Sequence, residues 1–225
     1  MSVSIKKTGI VQASGEIGAN IMPNSYIMQL GTSNVTTGTW RLAGSNTMTR
    51  SRVLIGNGMY GFQNSGIQTT PSGGYDDGSC YGIDSFPTDA NTDYVISMWA
   101  RLTDGTEGYA GFNALNMTVT GGTHTKHERN YYVTPLTKSW QRIWLSMKTN
   151  SATTRSVYIG ITTGDTSVTT QMCLVKLEKG TVPTPWIPCS TDTDFVSSTS
   201  GFNELFDGNA SISKGYINSI DFIEI

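Results

Sequence analysis

What most constrains this 225-residue chain is the period of its apolar residues. They alternate over short stretches, and Gly, Asn, Asp or Ser closes each stretch. No run of a dozen residues has the i, i+3, i+4 spacing of an amphipathic helix. The clearest alternation is Thr92 to Leu102, where Tyr94, Ile96, Met98 and Ala100 interleave with Val95, Ser97, Trp99 and Arg101. Both registers carry apolar residues, so this strand is expected to be covered on both faces. Ser139–Lys148 places Trp140, Arg142, Trp144 and Ser146 on one face, with Gln141, Ile143, Leu145 and Met147 on the other. Ser156–Thr162 and Thr169–Glu178 alternate in the same way. Shorter strand signals are Asn20–Leu30, Thr39–Leu42, Arg52–Ile55, Met59–Phe62, Tyr109–Leu115 and His127–Val133. Asp104-Gly105 is expected to close a hairpin onto Tyr109–Leu115. Thr69 to Ser79 is polar and Gly-rich and reads as a loop. Many short strands with such turns predict an all-β chain. The expected form is an antiparallel β-sandwich, with long connections favouring a jelly roll and short strand extensions at both ends. In that sandwich the five tryptophans, Trp40, Trp99, Trp140, Trp144 and Trp186, are expected to fill the core.

Composition narrows the classes. Thr and Ser make up roughly a quarter of the chain and charged residues only 14%, so uncharged polar groups carry solubility. That balance suits an extracellular or virion protein. A net charge of −2 without a basic run disfavours nucleic-acid binding. An aromatic content of 10% argues against disorder. No apolar stretch approaches the ~18 residues of a membrane span, and Met1 to Gly9 lacks the apolar core of a signal peptide. Cys80, Cys173 and Cys189 form no Cys-x-x-Cys pair, which excludes a zinc ribbon or a thioredoxin-type site. Three unpaired thiols is the plain reading, and Cys173–Cys189 is the bridge to look for.

The order of motifs resembles a known family. Asn20-Ile21-Met22-Pro23-Asn24-Ser25 is similar to the opening strand of carbohydrate-binding-module-like jelly rolls. Thr92–Ala100 looks like their core strand, and Thr137-Lys138-Ser139-Trp140-Gln141-Arg142 like the start of a later one. Leu174–Gly180, followed by Thr184-Pro185-Trp186-Ile187-Pro188, resembles the ending found in phage minor structural, tail and fibre proteins. The resemblance implies a jelly-roll domain over 18–192, preceded by an attachment strand (1–17) and followed by a linker and C-terminal strand tail (193–225). It also implies a virion location, other virion proteins as partners, and a homo-oligomer, a trimer in fibres of this kind. Pro185 and Pro188 block ladder pairing, so Trp186 is expected to cap the core from a segment running over the sandwich. Glu178 is expected to anchor a bend through backbone N–H groups. Ser4–Ala13 partly matches Ser211–Ser219, and both ends carry strand patterns.

Sugars stack on aromatic rings beside polar groups. The glycan-binding candidates are therefore the tyrosines near loops and strand ends: Tyr60, Tyr75, Tyr81, Tyr109, Tyr131 and Tyr132. Asp76 and Asp77, after a Gly-Gly turn, are the candidate calcium ligands; no other cofactor is expected. His124 and His127, the only histidines, lack the companions of a metal site or a hydrolase triad. Asp104 with Glu107 reads as a solvated turn pair, and Asp192 with Asp194 as linker residues. Neither Glu107, Glu128 nor Glu178 sits in a glycosidase pattern, and no phosphate-binding glycine motif is present. No catalytic residue is expected. The function that the resemblance implies is a non-enzymatic bacteriophage structural protein, part of a head or tail fibre or a decoration, attaching to host surface polysaccharide. The alternative is the sugar-binding module of a secreted bacterial protein.

Overall fold

The computed structural model describes residues 18–23, 25, 28, 30, 40–43, 48–55, 59–67, 79–113, 117–128, 131–152, 154–161, 167–190, 192, 212–213 and 216–217. Among these the strands are β1 (Arg41–Ala43), β2 (Thr49–Leu54), β3 (Tyr60–Gly66), β4 (Ser79–Pro87), β5 (Asp93–Asp104), β6 (Tyr109–Asn113) and β7 (Met117–Gly122). They continue with β8 (Lys126–Glu128), β9 (Tyr131–Pro135), β10 (Gln141–Thr149), β11 (Thr154–Ile161), β12 (Val168–Lys179), β13 (Ile212–Ser213) and β14 (Tyr216–Ile217). One sheet has the order β1-β4-β11-β6-β9-β8 and the other β2-β3-β12-β5-β10-β7, with antiparallel neighbours throughout. From β4 to β12 the chain crosses between sheets at every step except the β8–β9 hairpin, which is the wrapping of a jelly roll. In the tail, β13 and β14 pair with each other.

The expected all-β sandwich is the fold found, with particular departures. β5 and β6 lie in different sheets, so Asp104-Gly105 turns the chain across the sandwich and closes no hairpin. The Asp104 carboxylate still accepts the Gly105 N–H at 2.8 Å, as such turns do. β4 lies where the sequence shows no strand signal, and the stretch read as one strand over His127–Val133 is split between β8 and β9. Residues 1–17 and most of 193–225 lie outside the described residues.

The core is formed where the alternation points inward. Tyr94, Ile96, Met98, Ala100 and Leu102 of β5 meet Tyr81 and Ile83 of β4, Phe112 of β6, and Val157 and Ile159 of β11. Tyr81 stacks on Phe62 of the opposite sheet, with ring centroids 3.9 Å apart, and Trp40 meets Phe62 edge-on at 5.4 Å. The Tyr81 hydroxyl donates to the Gln63 carbonyl at 2.8 Å, so this buried ring also satisfies its polar tip. Trp40 and Trp186 are buried. Trp99, Trp140 and Trp144, expected in the core, are instead half-buried on the outer face of the second sheet. Their register is opposite to that of Met98, Ile143 and Leu145, which take the inner face. Cys173 and Cys189 are free thiols, both buried, so the bridge does not form.

One irregularity organises the second sheet. The β12–β5 register slips between Cys173 and Lys176, and Leu174 adopts a left-handed φ of 51° within the bulge that results. β3 pairs only with Val168–Met172, leaving the rest of β12 without it. The chain from Gly18 to Met22 takes that place. Ile21 N–H donates to Leu177 O at 2.8 Å, and the Asn20 side chain completes the contact. Its Oδ1 accepts Leu177 N–H (3.1 Å) and Met22 N–H (3.0 Å). Its Nδ2 donates to Ser25 Oγ (3.1 Å), Ile187 O (3.0 Å) and Val175 O (3.3 Å). Trp186 Nε1 donates to the same Val175 carbonyl at 3.2 Å. Replacing Asn20 by Ala leaves several buried backbone groups unpaired, at about 1–3 kcal/mol each. The expected result is a urea midpoint lowered by at least about 2 kcal/mol of stability; an unchanged midpoint would show that Asn20 does not hold this join.

Candidate functional site

The two sheets turn very different outer faces away from the core. On the second sheet the half nearest the bulge is closed by the segment 181–188. Lys176 and Glu178, two residues apart on β12, emerge on this outer face and are completely buried, with Nζ 2.9 Å from Oε2. Lys176 Nζ also donates to Thr184 Oγ1 (2.7 Å) and Pro185 O (2.8 Å). Glu178 accepts Thr184 N–H (2.8 Å) and the Thr184 hydroxyl (2.5 Å). It does anchor a bend through a backbone N–H, and the segment carrying Trp186 does run over the sandwich. Gly18 N–H donates to Thr184 Oγ1 at 3.2 Å, and a Cβ on Gly18 would lie 2.2 Å from Glu178 Oε2, so only glycine fits there. Arg142 Nη2 donates to Ser97 Oγ at 2.9 Å and to Thr184 O. Burial lowers the Arg142 guanidinium to about 10, against a rise from Glu178; burial lowers the Lys176 ammonium too, and Glu178 again opposes it. This cluster is a structural lock. Asp192, expected in a linker, extends it by accepting Ser25 Oγ (2.6 Å) and Cys189 N–H (3.2 Å).

The first sheet is different. The residues of β6, β9 and β11 that alternate with its core-facing ones are Tyr109, Gly111 and Asn113, Tyr131 and Val133, and Tyr158 and Gly160. Tyr131, Val133 and Tyr158 form a second apolar cluster, with Tyr109 against it, separate from the core between the sheets. In register across the sheet run Arg41, Gly82, Tyr158, Asn113 and Tyr131. Tyr158 lies over Gly82: a Cβ there would stand 2.6 Å from the ring, so glycine is required for this close approach. The Arg41 guanidinium is 5.2 Å from the Tyr158 centroid, and its Nη2 donates to the Tyr158 hydroxyl at 2.7 Å. The Tyr109 hydroxyl donates to Glu107 at 2.5 Å, which fixes that ring at the rim. Between Tyr158 and Tyr131 stands Asn113, only 3% exposed, whose Oδ1 has no hydrogen-bond partner. A buried carbonyl oxygen without a donor costs stability. It lies between two buried aromatic rings, Tyr158 and Tyr131.

Of the candidate tyrosines, this face brings together half-buried Tyr109 and buried Tyr131, and adds Tyr158, also buried, which sequence reasoning passed over as an ordinary alternating residue. Tyr81 is fully buried in the core against Phe62 and offers no surface to a sugar. Tyr132 points the opposite way from Tyr131, packs on the core and meets His124 edge-on at 5.1 Å. Tyr60 lies on β3 in the other sheet, under the Arg52 guanidinium at 3.3 Å. Tyr75, Asp76 and Asp77 lie outside the described residues. Among the described residues, no three His, Cys, Asp or Glu side chains gather where a metal ion could be held, and no helix is long and apolar enough to cross a membrane. His124 follows β7, and His127 falls in β8.

No family model matches the chain, and no curated protein does. Solved structures do. One is a protein of Bacteroides thetaiotaomicron assigned as sugar binding: 10% identity over 72% of this chain and 100% of that one, TM-score 0.49. Another is the CBM22-1 xylan-binding domain of Xyn10C from Paenibacillus barcinonensis: 11% identity, 75% and 99% covered, TM-score 0.46. A third is the enzymatically active domain of tailspike protein 4 from Bacteriophage CBA120: 12% identity, 72% and 21% covered, TM-score 0.44.

Two outcomes follow from the geometry. Glu178→Ala strands Lys176 and Thr184 in the interior, and losing one partner of a buried pair costs about 3–5 kcal/mol; calorimetry should show a sharply lowered melting temperature. Gly82→Ala should lift Tyr158 off the sheet and break its bond to Arg41, seen as a lost Arg41–Tyr158 contact in a crystal structure of the variant, with the core unchanged.

Proposed function

We propose that this chain is a non-enzymatic glycan-binding β-sandwich carried on a bacteriophage virion, in a head or tail fibre or as a decoration, where it attaches to host surface polysaccharide. The observation that carries glycan binding is the aromatic outer face of the first sheet, where half-buried Tyr109 and Arg41 edge the buried Tyr131, Asn113 and Tyr158. Pyranose rings present C–H faces to tyrosine rings and hydroxyls to polar groups at the rim. Arg41 holds Tyr158 and Glu107 holds Tyr109 by their hydroxyls, so these two rings are set before a ligand arrives. What supports the virion setting is the resemblance of Leu174–Gly180 and Thr184–Pro188 to phage structural proteins, together with the folded lock that these residues form. Other virion proteins would then contact the segments outside the sandwich, 1–17 and 193–225, in a homo-oligomeric fibre.

The test is retention of the full chain on a panel of bacterial surface polysaccharides by affinity electrophoresis. Binding should fall at least tenfold in Asn113→Leu and in Tyr158→Ala, a loss of about 1.4 kcal/mol or more. Retention of the wild type on no polysaccharide, or equal retention of both variants, would remove the reading. Deleting 195–225, and separately 1–16, should change sizing or virion incorporation in at least one case.

A further inference from the structure

The half of the second sheet that segment 181–188 leaves uncovered carries a row of polar side chains in register: Ser51 on β2, Gln63 on β3, Gln171 on β12 and Arg101 on β5. Trp140 flanks the row, its ring centroid 4.7 Å from the Arg101 guanidinium. Arg101 donates through Nε (3.1 Å) and Nη2 (2.8 Å) to Gln171 Oε1. Because a guanidinium only donates, this fixes the Gln171 amide with its oxygen toward Arg101 and its nitrogen toward Gln63. Gln171 Nε2 accordingly donates to Gln63 Oε1 at 3.0 Å. Both amide oxygens thus accept bonds inside the row. The donors left for a partner are the Gln63 amide nitrogen, the second hydrogen of Gln171, and the unused N–H groups of Arg101.

The charge is unbalanced as well. Arg142, lower on the same face, has Glu178 in its field. Among the described residues, Arg101 has a neutral amide oxygen, an indole ring and the buried Cys173 thiol, which burial holds in its protonated form. A half-buried cation without an anion is costly and is relieved when a ligand supplies one. The planar guanidinium fork takes a carboxylate bidentately. The half-buried indoles of Trp140 and Trp99, beside a row of N–H donors, suit a pyranose ring and its oxygens.

We propose that this face is a second binding surface, for a polysaccharide of uronic-acid type, with Arg101 on the sugar carboxylate and Trp140 beside the ring. It stands apart from the tyrosine face and does not depend on it. The probe is polygalacturonate, titrated into the full chain by calorimetry at physiological salt, with its fully methyl-esterified form and polyglutamate as controls. Polygalacturonate should bind, and Arg101→Gln should weaken it at least tenfold. Gln171→Glu places a carboxylate beside Arg101; it should weaken binding as much while raising the melting temperature, which separates loss of the site from loss of the fold. Tyr158→Ala should leave this binding unchanged. No binding by the wild type, unchanged binding in both variants, equal binding of the esterified form, or equal binding of polyglutamate (an acidic peptide surface instead) would each overturn the proposal.

Discussion

The second sheet depends on one amide. The bulge at Leu174 and Val175 turns the Val175 carbonyl out of the β12–β5 ladder and puts a buried residue into left-handed backbone. Either feature alone costs free energy. Asn20 makes the bulge tolerable, because one planar group meets Val175 O, Leu177 N–H and Ile187 O together and so ties three separate stretches of chain. Below the bulge the side-chain register is reset: Lys176 and Glu178 both reach the outer face, where Thr184 and Arg142 meet them. Without that slip, the ion pair could not stand under segment 181–188.

The two outer faces then divide the work. Part of the second sheet is spent as an interior surface, closed by charged groups that satisfy one another. The first sheet carries its own small apolar cluster on the face away from the core, at the cost of glycines at Gly82 and Gly111 and an unsatisfied Asn113. A face that served only to exclude water would place apolar side chains at those positions. This row holds Arg, Tyr and Asn in register instead.

How far the sequence reveals this differs element by element. β5, β10 and β12 are legible because their alternation is long. Pro185 and Pro188 also make legible that the segment carrying Trp186 runs over the sandwich, since prolines forbid ladder pairing. β4 is not legible: Gly82, Asp84 and Pro87 break the apolar pattern, and Gly82 is there for Tyr158, a residue 76 positions away in the chain. The Asp104-Gly105 turn is local and says nothing of which sheet receives the next strand. For Trp99, Trp140 and Trp144 the period shows that they share a face, but both registers of β5 and β10 are apolar. Only the assembled sandwich decides that the outer one is theirs. Tyr158 needs that same knowledge, because its glycine floor and its arginine lie on other strands.

The wrapping also sets the order in which the molecule can come into being. β12, almost the last strand of the sandwich to be synthesised, occupies the middle of its sheet between β3 and β5, and Gln171 bonds Gln63 across 108 positions of chain. Until β12 leaves the ribosome, β3 and β5 have no partner between them, and Asn20 has no bulge to close. Nascent chains of this protein therefore pass through a long interval with open strand edges, and their survival rests on whatever shields those edges before the last fifth of the sandwich arrives.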